Sequence, residues 1–222
     1  MNFQLRFTHD DIYEHTLGKI VCVGRNYAAH AKELNNPVPK DPILFIKPES
    51  SAVELSEPIA LPKKEACHYE AELAILIGAR LTCADEAEVD AGIVGAGLAL
   101  DLTLRALQSK LKEKGHPWEI AKSFDAACPI SDFVPRHELS DLDQLGFSLT
   151  INATLRQRGL ASEMITPIVP LIAFISQHFT LKPGDVVLTG TPEGVGQLHA
   201  GDQLSLAIGE QLSVQTEVKS HG

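Results

Sequence analysis

Residues 68–78 read HYEAELAILIG, and the reading of this stretch decides the fold. Its tail, AILI, is wholly apolar and closes on a glycine, which predicts a strand whose far end is buried on both faces. Side chains two apart on a strand share a face. His68, Glu70 and Glu72 therefore line one side, while Tyr69, Ala71 and Leu73 line the other. Polar groups entering a strand that then turns entirely apolar need an explanation.

Two neighbouring carboxylates repel, which raises one pKa unless a proton or a cation lies between them. A hard, all-oxygen donor set suits Mg²⁺ or Mn²⁺. The third candidate ligand is Asp101, a lone acid near the end of the glycine-rich apolar run 93–102, IVGAGLALDL. Burying it unpaired is costly. The same pattern also fits an exposed edge strand, with its acids in solvent and Asp101 capping the next helix. Spacing alone leaves both readings open.

Working outward, residues 18–24 (GKIVCVG) and 41–48 (DPILFIKP) read as strands. Between them, residues 25–36 (RNYAAHAKELNN) predict a helix of two to three turns, stopped by Asn-Asn-Pro. Further on come a helix over 85–92, a strand over 93–101 and a helix over about 103–113, closed at Gly115. Residues 147–159 alternate as a hairpin, 166–179 form an amphipathic helix, and 181–196 (LKPGDVVLTGTPEGVG) run turn, strand, then Gly/Pro loop. Residues 201–218 supply the last strands. Strands scattered among short helices argue against a regular βαβ series. The expected fold is mixed α/β, mainly β, as one domain over 18–222 with residues 1–17 as a short N-terminal appendage.

A net charge of −10, with basic pairs as small as Lys63-Lys64, leaves no stripe to replace phosphate counterions, so nucleic acid is not an expected partner. The first residues lack a basic start and an apolar h-region, and no apolar run is long enough to span a bilayer. Cys22, Cys67, Cys83 and Cys128 form no CxxC pair and suit free thiols in a reducing compartment. The expectation is a cytoplasmic protein without a membrane partner. Cys67 invites a nucleophile reading beside His68, but adjacent strand residues face opposite ways. Lys47 reads as a strand-end cation. His30 and Glu33, three apart on a helix, share a face, and a carboxylate beside an imidazole fixes its tautomer and raises its basicity.

Several stretches together resemble one known family: GRNYAAHAKE (24–33), FIKPESS (45–51), HYEAELAILIG (68–78), ALDLTLRALQ (99–108), PWEIAKSFD (117–125) and LKPGDVVLTGTPEGVG (181–196). They are similar to the fumarylacetoacetate hydrolase family, in particular its single-domain acylpyruvate or fumarylpyruvate hydrolase-like members, over about residues 18–218. The resemblance implies a β-roll of mixed strands with short peripheral helices, a homodimer, and one Mg²⁺ or Mn²⁺ per subunit. Glu70, Glu72 and Asp101 match its metal ligands, with His68 beside them. Lys122 matches an active-site lysine, and His30 with Glu33 a dyad on a lid helix. Thr191 matches a substrate-contacting hydroxyl, and Arg25 and Gln108 are further contact candidates.

The expected activity is hydrolysis of the C3–C4 bond of a 2,4-dioxo acid such as acetylpyruvate or fumarylpyruvate. Its 1-carboxylate and 2-oxo oxygen would chelate the metal, and His30 would activate water. The same chelate accommodates oxaloacetate, so decarboxylation or enol–keto tautomerisation is the alternative within the fold. A non-catalytic metal-dependent binding protein is the alternative of another class, which the His30, Glu33 and Lys122 set disfavours.

Overall fold

The computed structural model describes residues 3–63, 65–139 and 141–220; Lys64 of the basic pair lies outside them. The fold is mixed α/β and mainly β. Its centre is a seven-stranded mixed sheet in the order Ile43–Lys47, Ile20–Gly24, Val186–Leu188, Ala71–Ile77, Ile93–Leu100, Cys128–Pro135, Ala52–Glu54. A five-stranded sheet, ordered Thr154–Leu160, Gly146–Ile151, Gln203–Ile208, Leu212–Lys219, Ile59–Ala60, packs against it. The third sheet has three short strands, Gly196–Gln197, Cys67–Tyr69 and Thr103–Leu104.

The strand Ala71–Ile77 is buried at every position, as the apolar tail predicts. Leu73, Ile75 and Ile77 join the main core, which also takes Leu149 and Leu206 from the five-stranded sheet. Ala74 and Leu76 face the other way, into a second core with Ile20, Cys22, Ala99, Phe133 and Leu188. Leu5 and Leu17 are buried in this second core, and Phe3, Phe7 and Tyr13 pack against it. The central sheet is thus covered on both faces, which is why its middle strands do not alternate in polarity.

The hairpin over 147–159 forms, with Asn152 and Ala153 both at positive φ in its turn, the conformation that matches strand twist. The helix Glu86–Gly92 starts at a capping box made by Asp85 and Glu88. Two helices depart from expectation. The one predicted over 25–36 spans only Ala28–Glu33. Asn26 is drawn into bonds with Thr166 and Thr189, and Tyr27 is extended and bridged to Met164, so tertiary contacts hold the first residues out of the helix. The helix expected from about 103 begins at Arg105, because Thr103 and Leu104 pair as a strand with Cys67 and His68. No helix among the described residues is long and apolar enough to cross a membrane.

Phe133 is fully buried and is the largest apolar side chain of the second core. Phe133→Ala is expected to cost about 3–5 kcal/mol, read as a lowered urea midpoint with an unchanged slope.

Candidate active site

Antiparallel pairing brings the acids together. Glu72 lies opposite Ala99 in the ladder between Ala71–Ile77 and Ile93–Leu100, and the Asp101 N–H donates to the Glu70 carbonyl at 2.8 Å. Glu70, Glu72 and Asp101 are all buried, and one carboxylate oxygen from each lies within 4.8 Å of the others. This excludes the edge-strand alternative, in which the acids would be solvated.

Three cations face the three carboxylates. Lys122, at the end of the helix Glu119–Lys122, donates to Glu70 Oε2 at 2.8 Å and to Asp101 Oδ2 at 2.5 Å. Arg105 pairs with the other Glu70 oxygen and holds Gln108 Oε1 at 3.0 Å. Lys47 is fully buried, with Nζ 2.9 Å from Asp101 Oδ1 and bonded to the carbonyls of Lys122 and Ala127. Lys47 does end its strand, and it is also an internal post that ties three segments of the site together.

The acids are not equivalent. Burial alone would raise the Glu70 pKa, but Lys122 and Arg105 hold it well below the ordinary carboxylate range. Glu72 is pushed well up, by burial first and then by Asp101 and Glu70, although the Gly190 N–H donates to it at 2.6 Å. Gly190 has φ +95°, and a Cβ there would lie 2.7 Å from the Asn26 Cβ, so only glycine presents that N–H to Glu72. Asp101 Oδ1 is buried and, despite the nearby Lys47 charge, receives no properly directed hydrogen bond. An orphaned oxygen, a carboxyl driven towards protonation and an all-oxygen donor set fit a hard divalent cation.

The trio lies in a cleft with about 430 Å³ of empty space, which His30, Arg25, Gln108, Thr191 and Lys122 also line. His30 is buried on its short helix, with Nδ1 3.3 Å from Glu33 Oε2. Glu33 Oε1 in turn accepts from the Gly194 N–H at 3.0 Å, which anchors the helix to the Gly/Pro loop. The Thr191 hydroxyl donates to the Ala71 carbonyl and accepts from Gln157 Nε2, both at 2.8 Å, leaving it one lone pair and no proton to offer. Arg25 is held at φ 61°, and among the described residues its guanidinium bonds only the Pro37 carbonyl, at 3.5 Å. His68 stands outside the cleft lining, where burial and the Arg105 charge lower its pKa.

Sequence reasoning missed Arg105, Lys112 and Gln157. Gln157 is buried in the hairpin and bonds both the Ala71 N–H and the Thr191 hydroxyl, so it clamps the loop to the ligand strand. A buried glutamine in an alternating hairpin carries no local signal. Arg105 and Lys112 share a helix face with Gln108, at spacings of three and four, which was a signal available from the sequence. Three cysteines are buried and Cys83 is exposed; all are free. Burial pushes the Cys67 thiol up to about 11, which suits no nucleophile.

The family profile described as "Fumarylacetoacetate (FAA) hydrolase C-terminal" matches residues 19–219. The chain belongs to the fumarylacetoacetate hydrolase family. Within the family it is 51% identical over 199 residues to oxaloacetate tautomerase YcgM of Escherichia coli (strain K12), covering 89% of this chain and 91% of that one. It is 41% identical over 201 residues to the mitochondrial oxaloacetate tautomerase FAHD1 of Bos taurus, covering 90% and 91%. A crystal structure of fumarylpyruvate hydrolase from Pseudomonas aeruginosa with Mn²⁺ and pyruvate superposes with a TM-score of 0.92 at 32% identity, covering 99% and 97%. Metal dependence in general is supported by the acidic cluster together with that Mn²⁺ complex.

These comparisons correct the expected C3–C4 hydrolase activity, since the curated relatives at 40–51% identity are named tautomerases. The physical reason is that a chelating 2-oxo acid would make the same demands on a carboxylate trio in either reaction. Glu70, Glu72, Asp101, His30 and Lys122 therefore do not tell them apart.

Glu70→Ala and Asp101→Ala are each expected to weaken Mn²⁺ binding more than about hundredfold, measured by calorimetry. Mn²⁺ competes with protonation of Glu72, whose pKa is raised by burial and by Asp101 and Glu70, so affinity is expected to fall as pH is lowered, measured by calorimetry across a pH series. Lys47→Met leaves Asp101 short of a buried counter-charge and is expected to cost about 3–5 kcal/mol in chemical denaturation.

Proposed function

We propose that this protein is a metal-dependent tautomerase that interconverts the enol and keto forms of oxaloacetate. The observation that carries it is likeness to relatives named oxaloacetate tautomerases, in a chain whose cleft holds His30, bonded to Glu33, beside the buried Glu70, Glu72 and Asp101 trio. The tautomerase names of relatives at 40–51% identity support the same reaction.

Glu70, Glu72 and Asp101 would hold one Mg²⁺ or Mn²⁺ per subunit. A bound dication there supplies Lewis acidity, polarising a 2-oxo group and stabilising negative charge at its oxygen. Ketonisation requires a proton to leave the 2-hydroxyl and a proton to arrive at C3, so a proton carrier on the reacting face suffices. His30 is that carrier, exchanging the proton at Nε2 while Nδ1–H points to Glu33. Glu33 holds the ring orientation because Gly194 fixes its other oxygen. Lys122 keeps Glu70 and Asp101 in place and offers positive charge beside the 2-oxygen. Gln108 and Arg25 orient the substrate from the cleft wall, and Thr191 braces the loop beside it.

Charge supports a dianionic substrate over one with a neutral acyl tail. Three carboxylates already face three cations, so a dication would leave the site positive, and Arg25 and Lys112 in the same cleft add to this. The proposal includes a homodimer in the cytoplasm, a reducing setting that suits the four free cysteines. Light scattering on the purified chain tests the dimer.

The deciding experiment supplies enol oxaloacetate with Mg²⁺ and follows its ultraviolet absorbance, pyruvate and CO₂ separately. Enol loss faster than in buffer, without matching pyruvate or CO₂, is the expected result; no acceleration rejects the tautomerase. His30→Ala is expected to lower that rate about 10²–10⁴-fold with Mn²⁺ affinity retained.

A further inference from the structure

The helix Arg105–Glu113 turns three side chains into the cleft, Arg105, Gln108 and Lys112. At about 1.5 Å of rise per residue, Lys112 sits roughly 10 Å along the axis from Arg105, at the end away from the carboxylate trio. Arg105 is already committed to Glu70 and Gln108. Lys112 is not: its Nζ donates to Asn36 Oδ1 at 3.2 Å and stands 5.9 Å from the Trp118 ring centroid. Arg25 lines the same cleft and bonds only the Pro37 carbonyl. Among the described residues, no salt bridge includes Lys112 or Arg25. Both instead bond the segment 36–37 that leaves the His30 helix.

We propose that Lys112, with Arg25 beside it, forms a second anion subsite that takes the distal carboxylate of a 2-oxo dicarboxylate. This rests on the tautomerase proposal for the identity of the substrate, and names the residue that makes the cleft prefer a diacid. Two cations without a carboxylate are an arrangement that an incoming anion completes. The crowding is felt at Lys112, whose pKa is lowered by burial first and then by the charges of Arg25 and Arg105. Arg25 adopts left-handed backbone that a non-glycine residue rarely takes, and that conformation places its side chain in the cleft wall. A substrate ending in a neutral group would leave both charges unanswered, which is how a polar subsite discriminates against it.

The test titrates Mn²⁺-loaded protein by calorimetry with 3,3-difluorooxaloacetate and with its 4-methyl ester. Neither has a proton to enolise, and they differ in the distal charge and one methyl group. The wild type is expected to bind the diacid at least about tenfold more tightly. Lys112→Gln should lose most of that preference while binding the ester as before, and Lys112→Arg should restore it. A preference retained in Lys112→Gln, a wild type without preference, or an equal loss for both ligands overturns the subsite. If the preference depends on Lys112 but enol oxaloacetate is not turned over, the subsite stands and the tautomerase proposal falls.

Discussion

Three buried carboxylates, with one oxygen of each held within 4.8 Å of the others, set the terms for everything built around them. At an effective dielectric of about 20, each pair of full charges at that separation repels by about 3–4 kcal/mol. Such a trio exists in a folded chain only if cations or protons answer it. Lys122 and Arg105 answer Glu70, Lys122 and Lys47 answer Asp101, and Glu72 is left with one backbone N–H and a strong drive to hold a proton. The imbalance is the useful part. A fully neutralised trio would have no reason to take a dication, whereas here one carboxyl and one orphaned Asp101 oxygen gain from it.

The same constraint explains why so many distant segments converge. Lys47 comes from the edge strand of the central sheet, Lys122 from a one-turn helix, Arg105 from a third element and Gly190 from the loop after Val186–Leu188. Gln157 reaches in from the five-stranded sheet to hold that loop against Ala71. Asn26 pins the His30 helix to the same loop through Thr189. The His30 helix, the strand that carries Glu72 and the loop are therefore one hydrogen-bonded assembly, and the buried faces of the sheet give it a rigid base.

Which reaction such a site performs depends less on the trio than on what stands around it. Hydrolysis and tautomerisation share the chelating end of the substrate and part beyond C2, towards its distal end, where one breaks the C3–C4 bond and the other brings a proton to C3. That end of the cleft is where Arg25 and Lys112 lie without acidic partners. A positive outer cleft agrees with the proposed diacid substrate.

The sequence by itself determined the elements whose signals are local. The apolar tail of HYEAELAILIG specified a strand buried on both faces, and the period of two placed Glu70 and Glu72 on one side of it. The hairpin at 147–159, the capped helix at 86–92 and the helix at 168–178 follow from turn chemistry and periodicity. Family motifs named the ligands, but spacing alone left them balanced between a metal site and a solvated edge. The folded chain removes the solvated edge, because burial and the Asp101–Glu70 backbone bond depend on which strands become neighbours. It also shortened the His30 helix, since Asn26 and Tyr27 gain more from distant partners than from another helical turn. And it made the strand-end cation Lys47 a buried post, a role created by carbonyls 55 to 80 residues away and by no pattern near the lysine itself.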